Sequence, residues 1–238
     1  MSAGRAMTER PPPHLERYRA GGLVVDTFLA PAFAQNAYLA RDEATGAAVA
    51  IDPGGAAPEM ARALEAEAAT LEAILLTHAH YDHIEGVPAL CARFDAPVRL
   101  PEGDRPLYAH VGEQARMFGL PELRLPDPDG GLEAGTSVSF GESELEVRAA
   151  PGHSPGHVLL VAHAADVAFV GDVIFLGSIG RTDLPGGDFS TLIRSIREQV
   201  LTLPDATVLF SGHGPPTTVG HERVANPFLI PHYGGGLA

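Results

Sequence analysis

The stretch His78-Ala79-His80-Tyr81-Asp82-His83 places three imidazoles and a carboxylate within six positions. A lone histidine is more often structural than a ligand, but that density has a chemical use. Imidazole nitrogen suits zinc, iron and manganese, and a carboxylate adds affinity while offsetting charge. In an irregular loop His78 and His80 can point one way while Asp82 and His83 point another, so one short segment can serve two cations. Three further candidates lie downstream, each after a glycine where backbone can pass close to a metal: His153, Asp172 and His213. Asp172 is the natural bridging ligand, because its two oxygens can span two cations. Two divalent cations against Asp82 and Asp172 leave net positive charge, which favours a bridging hydroxide. His14, His110, His163, His221 and His232 have no ligand context.

Such a site points to hydrolysis. Metal-bound water can ionise near pH ~7, giving hydroxide without a separate general base. The metal charge would also polarise a carbonyl and stabilise the oxyanion that forms. Asp82 and Asp172 are the catalytic carboxylates of this scheme. A thioester would leave without an acid's help, since a thiol has a pKa of about 8.5.

Each of these groups follows an apolar run. Residues 71–76 read as a strand leading into Thr77 and the histidine cluster, and residues 145–149 lead into Pro151-Gly152-His153. Likewise 167–170 run into Gly171-Asp172, and 207–210 into Ser211-Gly212-His213. Other strands are expected at 23–29, 37–40, 47–51, 138–140 and 157–162. Helices are expected at 58–69, 87–94, 104–118 and 189–203, the last from Leu192, Ile193, Ile196, Val200 and Leu201 at helical spacing. Residues 121–131 form a Pro/Gly/Asp loop. In an α/β protein with strands of common orientation, all four loops open on one sheet edge, where such folds place their ligands.

Composition narrows the field. The 238 residues are 45% hydrophobic and 19% charged, as in a globular enzyme with a proper core. The net charge is −14 and all 16 basic residues are arginine, so phosphate backbones are repelled and nucleic acid is excluded as a partner. Without lysine there is no Schiff base and no P-loop. No apolar run approaches the roughly 18–20 residues that span a membrane. Residues 1–20 lack the apolar stretch of a signal peptide, and the single Cys91 suits a reducing compartment, so a cytoplasmic location is expected.

Thr77–His83 resembles the T-H-x-H-x-D-H signature of the metallo-β-lactamase superfamily, with Gly171-Asp172 and Gly212-His213 in the expected order. The segment Pro151-Gly152-His153-Ser154-Pro155-Gly156-His157 resembles the G-H-[ST]-P-G-H motif of its glyoxalase II branch, as does the run from Gly171 to Asp188. The ending around Gly212-His213-Gly214 and Asn226-Pro227-Phe228 is similar to the short bacterial hydroxyacylglutathione hydrolase-like subfamily. The resemblance implies an αββα sandwich with metals at one sheet edge. It places His78, His80 and His153 on a first metal, Asp82, His83 and His213 on a second, and Asp172 between them. Zinc is the first choice, with iron or manganese as substitutes. It also aligns Asp52 with a carboxylate that holds the N–H of a ligating imidazole. His157 is read as structural, and Arg181 with Asp183 as a buried ion pair shaping a Gly-rich loop. The domain is expected over residues 21–226, after an N-terminal extension of residues 1–20 and before a tail of residues 227–238.

The expected substrate is S-lactoylglutathione or a related small-molecule thioester. Glyoxalase II enzymes carry a basic helical C-terminal domain that binds glutathione, whereas 25 residues follow His213 here. Alternatives keep their place beside it. A persulfide dioxygenase uses one iron with two histidines and an aspartate, a pattern matched by His78, His153 and Asp172. A lactone or β-lactam hydrolase differs only in the carbonyl cut. A non-enzymatic, metal-stabilised binding protein is disfavoured because the site leaves coordination open.

Overall fold

In the computed structural model, which describes residues 16–230, strand alternation sorts the apolar side chains onto two faces. The first sheet holds β1 (Glu16–Ala20), β2 (Leu23–Ala30), β3 (Gln35–Asp42), β4 (Ala47–Ile51), β5 (Thr70–Leu75), β6 (Val98–Leu100) and β7 (Gly130–Gly131), in that spatial order. Pairing is antiparallel from β1 to β4 and parallel from β4 to β7. The second sheet begins with β8 (Ser137–Phe140), β9 (Ser143–Ala149), β10 (Val158–Ala162) and β11 (Val167–Gly171). After a ribbon of β12 (Ile174–Phe175) and β13 (Ser178–Ile179), β14 (Val208–Ser211) and β15 (Thr217–Thr218) complete the order β15-β14-β11-β10-β9-β8. Here β11 and β14 run parallel.

All five residues of β4 are buried, and so are all five of β10. Ala47, Val49 and Ile51 face the second sheet, while Ala48 and Ala50 face outward. Val158, Leu160 and Ala162 face the first sheet, while Leu159 and Val161 face outward. Continuous apolar strands of this kind are stable only when both sheet faces are covered. Helices supply the cover. α1 (Ala57–Ala66), α2 (Tyr81–Ile84), α3 (Val87–Cys91), α4 (Arg105–Ala109) and α5 (Val111–Phe118) lie on the first-sheet side, with Met60, Leu64 and Leu90 in the core. α6 (Phe189–Ser195), extended by a π turn at Ile196–Val200, and α7 (Val219–Ala225) cover the second. The result is the expected αββα sandwich. No helix among the described residues is long and apolar enough to cross a membrane.

The parallel pairs position the site. β4 and β5 end side by side at Asp52 and Thr77, and β11 and β14 end side by side at Asp172 and Gly212. The two sheets are stitched at that edge: the Asn36 N–H donates to the Gly212 carbonyl at 2.7 Å, and the Tyr38 hydroxyl donates to the Ser211 carbonyl at 2.5 Å.

Several expectations need correction. Glu16–Ala20 is an edge strand paired along its length with β2, so the domain begins before residue 21. Leu229 packs against the outer core, so the chain stays with the domain beyond residue 226. The remainder of the expected extension and tail, residues 1–15 and 231–238, lies outside the described residues. The helix expected over 104–118 breaks at His110 into α4 and α5.

Candidate metal centre

From the end of β5 the chain loops outward with His78 and His80, then turns into α2, whose first turn carries Asp82 and His83. The loops after β9, β11 and β14 deliver His153, Asp172 and His213. All seven converge. Nitrogens of His78, His80 and His153 lie within 4.8 Å of one another, and so do ligand atoms of Asp82, His83 and His213. His80 Nδ1 faces His153 Nε2 at 2.8 Å. Asp172 sits between the groups: Oδ2 is 3.4 Å from His153 Nε2 and 3.6 Å from His213 Nε2, and Oδ1 is 3.4 Å from His83 Nε2. Asp82 Oδ2 lies 3.2 Å from His213 Nε2.

The donor chemistry fits two divalent cations. Nε2 of His78, Nε2 of His83 and Oδ1 of Asp172 are buried without a hydrogen-bond partner, an arrangement that costs about 1–3 kcal/mol per group unless something binds there. The opposite ring nitrogens are tied down. His78 Nδ1 lies 3.1 Å from Thr77 Oγ1, His83 Nδ1 lies 3.0 Å from Asp52 Oδ2, His153 Nδ1 lies 2.8 Å from the Arg181 carbonyl, and His213 Nδ1 lies 3.3 Å from the Ala34 carbonyl. A proton on each Nδ1 leaves Nε2 bare, the tautomer a cation needs. Asp52, His78 and His83 also converge within 4.8 Å. Asp52 is nevertheless engaged already, accepting from the Thr77 N–H at 2.7 Å, the Thr77 hydroxyl at 2.6 Å and His83. It orients a ring rather than offering a free oxygen. Its φ of +46°, rare outside glycine, marks a strained turn kept for that purpose.

Electrostatics agree. Burial, and then the neighbouring rings, hold His78 well below the usual imidazole range and bring His80 down to about 4, so both are neutral. Burial would raise the Asp172 carboxyl, but His83, His153 and His213 outweigh it and keep it ionised. Burial would lower His83, yet Asp172 and Asp82 push it up, so a proton there stands where cation charge is called for.

Other residues support the site. Asp104 is fully buried and ties the His78–His80 loop to the 151–157 loop, accepting from the Ala79 N–H at 2.9 Å, the Ser154 hydroxyl at 2.7 Å and the Gly156 N–H at 2.6 Å. In the sequence it looked like an ordinary helix start. His157, read as structural, stacks on His78 with centroids 4.7 Å apart and accepts the Asp172 N–H at 3.1 Å. Gly171 has φ +46°, and a Cβ there would lie against Thr77 Oγ1 and 2.7 Å from His157 Nε2. The Arg181–Asp183 pair, expected to be buried, is exposed. It forms inside a short loop that no element covers.

Beside these candidate metal ligands lies a cleft of about 350 Å³ whose apolar wall is Phe33, Tyr81, Phe118, Leu120 and Leu184. The sequence matches a known family model, the metallo-beta-lactamase superfamily, over residues 30–213. The chain belongs to that superfamily. As a metallo-hydrolase of this kind it is 41% identical to the hydroxyacylglutathione hydrolase GloC of Haemophilus influenzae over 200 residues, 83% of this chain and 94% of that protein. Among solved structures, the B3 metallo-beta-lactamase BLEG-1 superposes with a TM-score of 0.81 at 40% identity, covering 87% of this chain and all of that one. The protein TTHA1623, solved in a di-iron-bound form, superposes with a TM-score of 0.76 at 41% identity, covering 84% and 98%.

Proposed function

We propose that this metallo-hydrolase is a glyoxalase II-type thioesterase acting on S-lactoylglutathione or a related small-molecule thioester. In this reading His78, His80 and His153 would hold one cation and Asp82, His83 and His213 a second, with Asp172 available to both. The observation that carries it is the convergence of two complete three-residue groups on one shared carboxylate beside an apolar cleft. The Haemophilus influenzae relative, named a hydroxyacylglutathione hydrolase, supports the substrate class. A di-iron neighbour makes iron a natural alternative to zinc.

Two divalent cations there would supply hydroxide at neutral pH and draw electrons from the substrate carbonyl. The chain's own residues do the rest. Asp52, Thr77 and the carbonyls of Arg181 and Ala34 fix the ring tautomers, and Asp172 stays ionised between the groups. A thiolate leaving group asks for no protonated side chain. The lone Cys91 suits a reducing cytoplasm.

The second ligand group favours this reading over a one-iron persulfide dioxygenase, which would leave Asp82, His83 and His213 without a purpose. The test is hydrolysis of S-lactoylglutathione by the purified protein, with metal analysis on the same sample and Asp172→Ala as control. Turnover with about two metals per chain, lost in the variant, is the expected result. One iron per chain with oxygen uptake on glutathione persulfide would move the protein to the dioxygenase branch. Turnover of a lactone or β-lactam alone would keep the site and discard the thioester.

A further inference from the structure

A second cavity opens from the catalytic cleft. It measures about 110 Å³ and shares His80, Gln114, Phe118 and Leu184 with the cleft. Its own walls are Leu107, His110, Glu113, Met117 and Pro185. Met117 and Phe118, at the end of α5, are 61% and 51% exposed, which leaves the outer end of this slot open between two large apolar side chains. Adjacent exposed apolar side chains beside a cavity that reaches a metal site mark a binding surface rather than chance exposure.

Resting on the thioesterase reading, we propose that this slot holds the thiol arm of the substrate, and that the preferred thioesters carry an uncharged, apolar arm next to the sulfur. The one amide of the slot is already committed. The Gln114 amide donates to the Ala79 and Leu107 carbonyls at 2.9 and 3.0 Å, and its oxygen accepts from the Tyr81 N–H at 3.0 Å. His110 has its Nδ1 turned to the Pro106 carbonyl at 2.7 Å. Glu113 adds negative charge to the wall. Arg181 is the single lysine or arginine that lines either cavity among the described residues, and Asp183 holds its guanidinium by two bonds of 2.7 Å. The two carboxylates of a glutathione arm would meet Glu113 and a chain of net charge −14, with no uncommitted arginine in either wall.

The leaving arm, rather than the acyl group, suits the slot because its outer end is open. A thiol of any length can run through it to solvent, while a short acyl group stays in the larger cleft beside the metal ligands. In the reaction one water is consumed. Its oxygen bonds to the carbonyl carbon, the C–S bond breaks with the electron pair going to sulfur, and the products are a carboxylate, a neutral thiol and one proton released to solvent.

The experiment compares S-lactoylglutathione with the lactoyl thioester of N-acetylcysteamine, which keeps the acyl group and the sulfur but lacks carboxylates. The full-length, metal-loaded enzyme is used. The expected result is a kcat/KM for the uncharged thioester at least equal to that for S-lactoylglutathione. Met117→Asp, which alters the slot wall alone and is exposed, should raise KM for the uncharged thioester about tenfold, as loss of an apolar contact does, with metal content as in wild type. A preference for S-lactoylglutathione of about tenfold, with KM rising as salt screens charge, overturns the slot assignment and leaves the thioesterase reading standing. An unchanged KM in Met117→Asp also overturns it. Cleavage of neither thioester overturns both.

Discussion

Asp104 and Ser154, fifty residues apart, are joined by a 2.7 Å hydrogen bond from the serine hydroxyl to a carboxylate that also receives the Ala79 and Gly156 N–H groups. Ala79 lies between His78 and His80, and Ser154 follows His153. One buried side chain therefore fixes the separation of the two loops that supply the first ligand group. Burial raises this carboxyl and the three bonds oppose that rise, so it is held by its partners rather than by solvent.

Asp104→Ala should weaken the first cation by about 10–100-fold, the range seen when groups that orient ligands are removed. Asp104→Asn should lose less, because its oxygen can keep one side while its NH₂ faces a donor on the other. Competition with a graded chelator, read as metals retained per chain, measures both. Retention equal to wild type in Asp104→Ala would remove the clamp from the account of the site.

Asp52→Ala should act on the other group. Without Asp52 Oδ2 the His83 ring is free to carry its proton on Nε2, and Thr77 loses both acceptors of its N–H and hydroxyl. The second cation should be bound about 10–100-fold more weakly, while the first, held by His78, His80 and His153, is less affected. Stepwise titration of the apo protein with zinc would show one tight and one weakened site.

The seven ligand candidates were legible because four are packed into six positions after one strand, and the other three each follow a strand and a glycine. Fold class was legible from the same alternation of apolar strands and helical stretches. Asp104 and Asn36 were not, because their roles are set across 52 and 175 residues of sequence by contacts that no local pattern encodes. α2 was hidden too. Three of its four residues are those of the metal motif, and four residues are too few for periodicity to register. β1 fell in a stretch with arginines and glutamate, whose exposed edge position permits charge that a central strand would exclude.

Gly171→Ala should be far more damaging than Gly177→Ala. Both positions have positive φ, at +46° and +66°, which costs an L-residue roughly 1–2 kcal/mol. Only at Gly171 would the new methyl meet Thr77 and His157, whereas at Gly177 nothing lies within 4 Å. Thermal melts of the two variants separate backbone strain, common to both, from the displaced Asp172 loop. Equal losses of stability would show that the contact at Gly171 relaxes without consequence.

At the far end of the sandwich, Asp42 offers a pH test independent of the metals. It is 3% exposed and accepts from the Thr45 N–H at 2.8 Å, the Thr45 hydroxyl at 2.7 Å and the Ser143 hydroxyl at 2.8 Å, joining the β3–β4 turn to the β8–β9 hairpin. Burial would raise its carboxyl, but these donors prevail and hold it below the usual carboxylate range. A group depressed in the folded state contributes stability that is present above its unfolded pKa of about 3.9 and is lost as pH falls through the folded value. Asp42→Asn should therefore be destabilised at pH 7, by about 1–3 kcal/mol for the lost charge-assisted bonds. The gap from wild type should narrow as pH drops below about 4, since the protonated wild-type carboxyl then resembles the amide. Urea denaturation of both proteins across that range measures it. A gap that stays constant with pH would mean that the three donors hold the neutral acid as well as they hold the carboxylate.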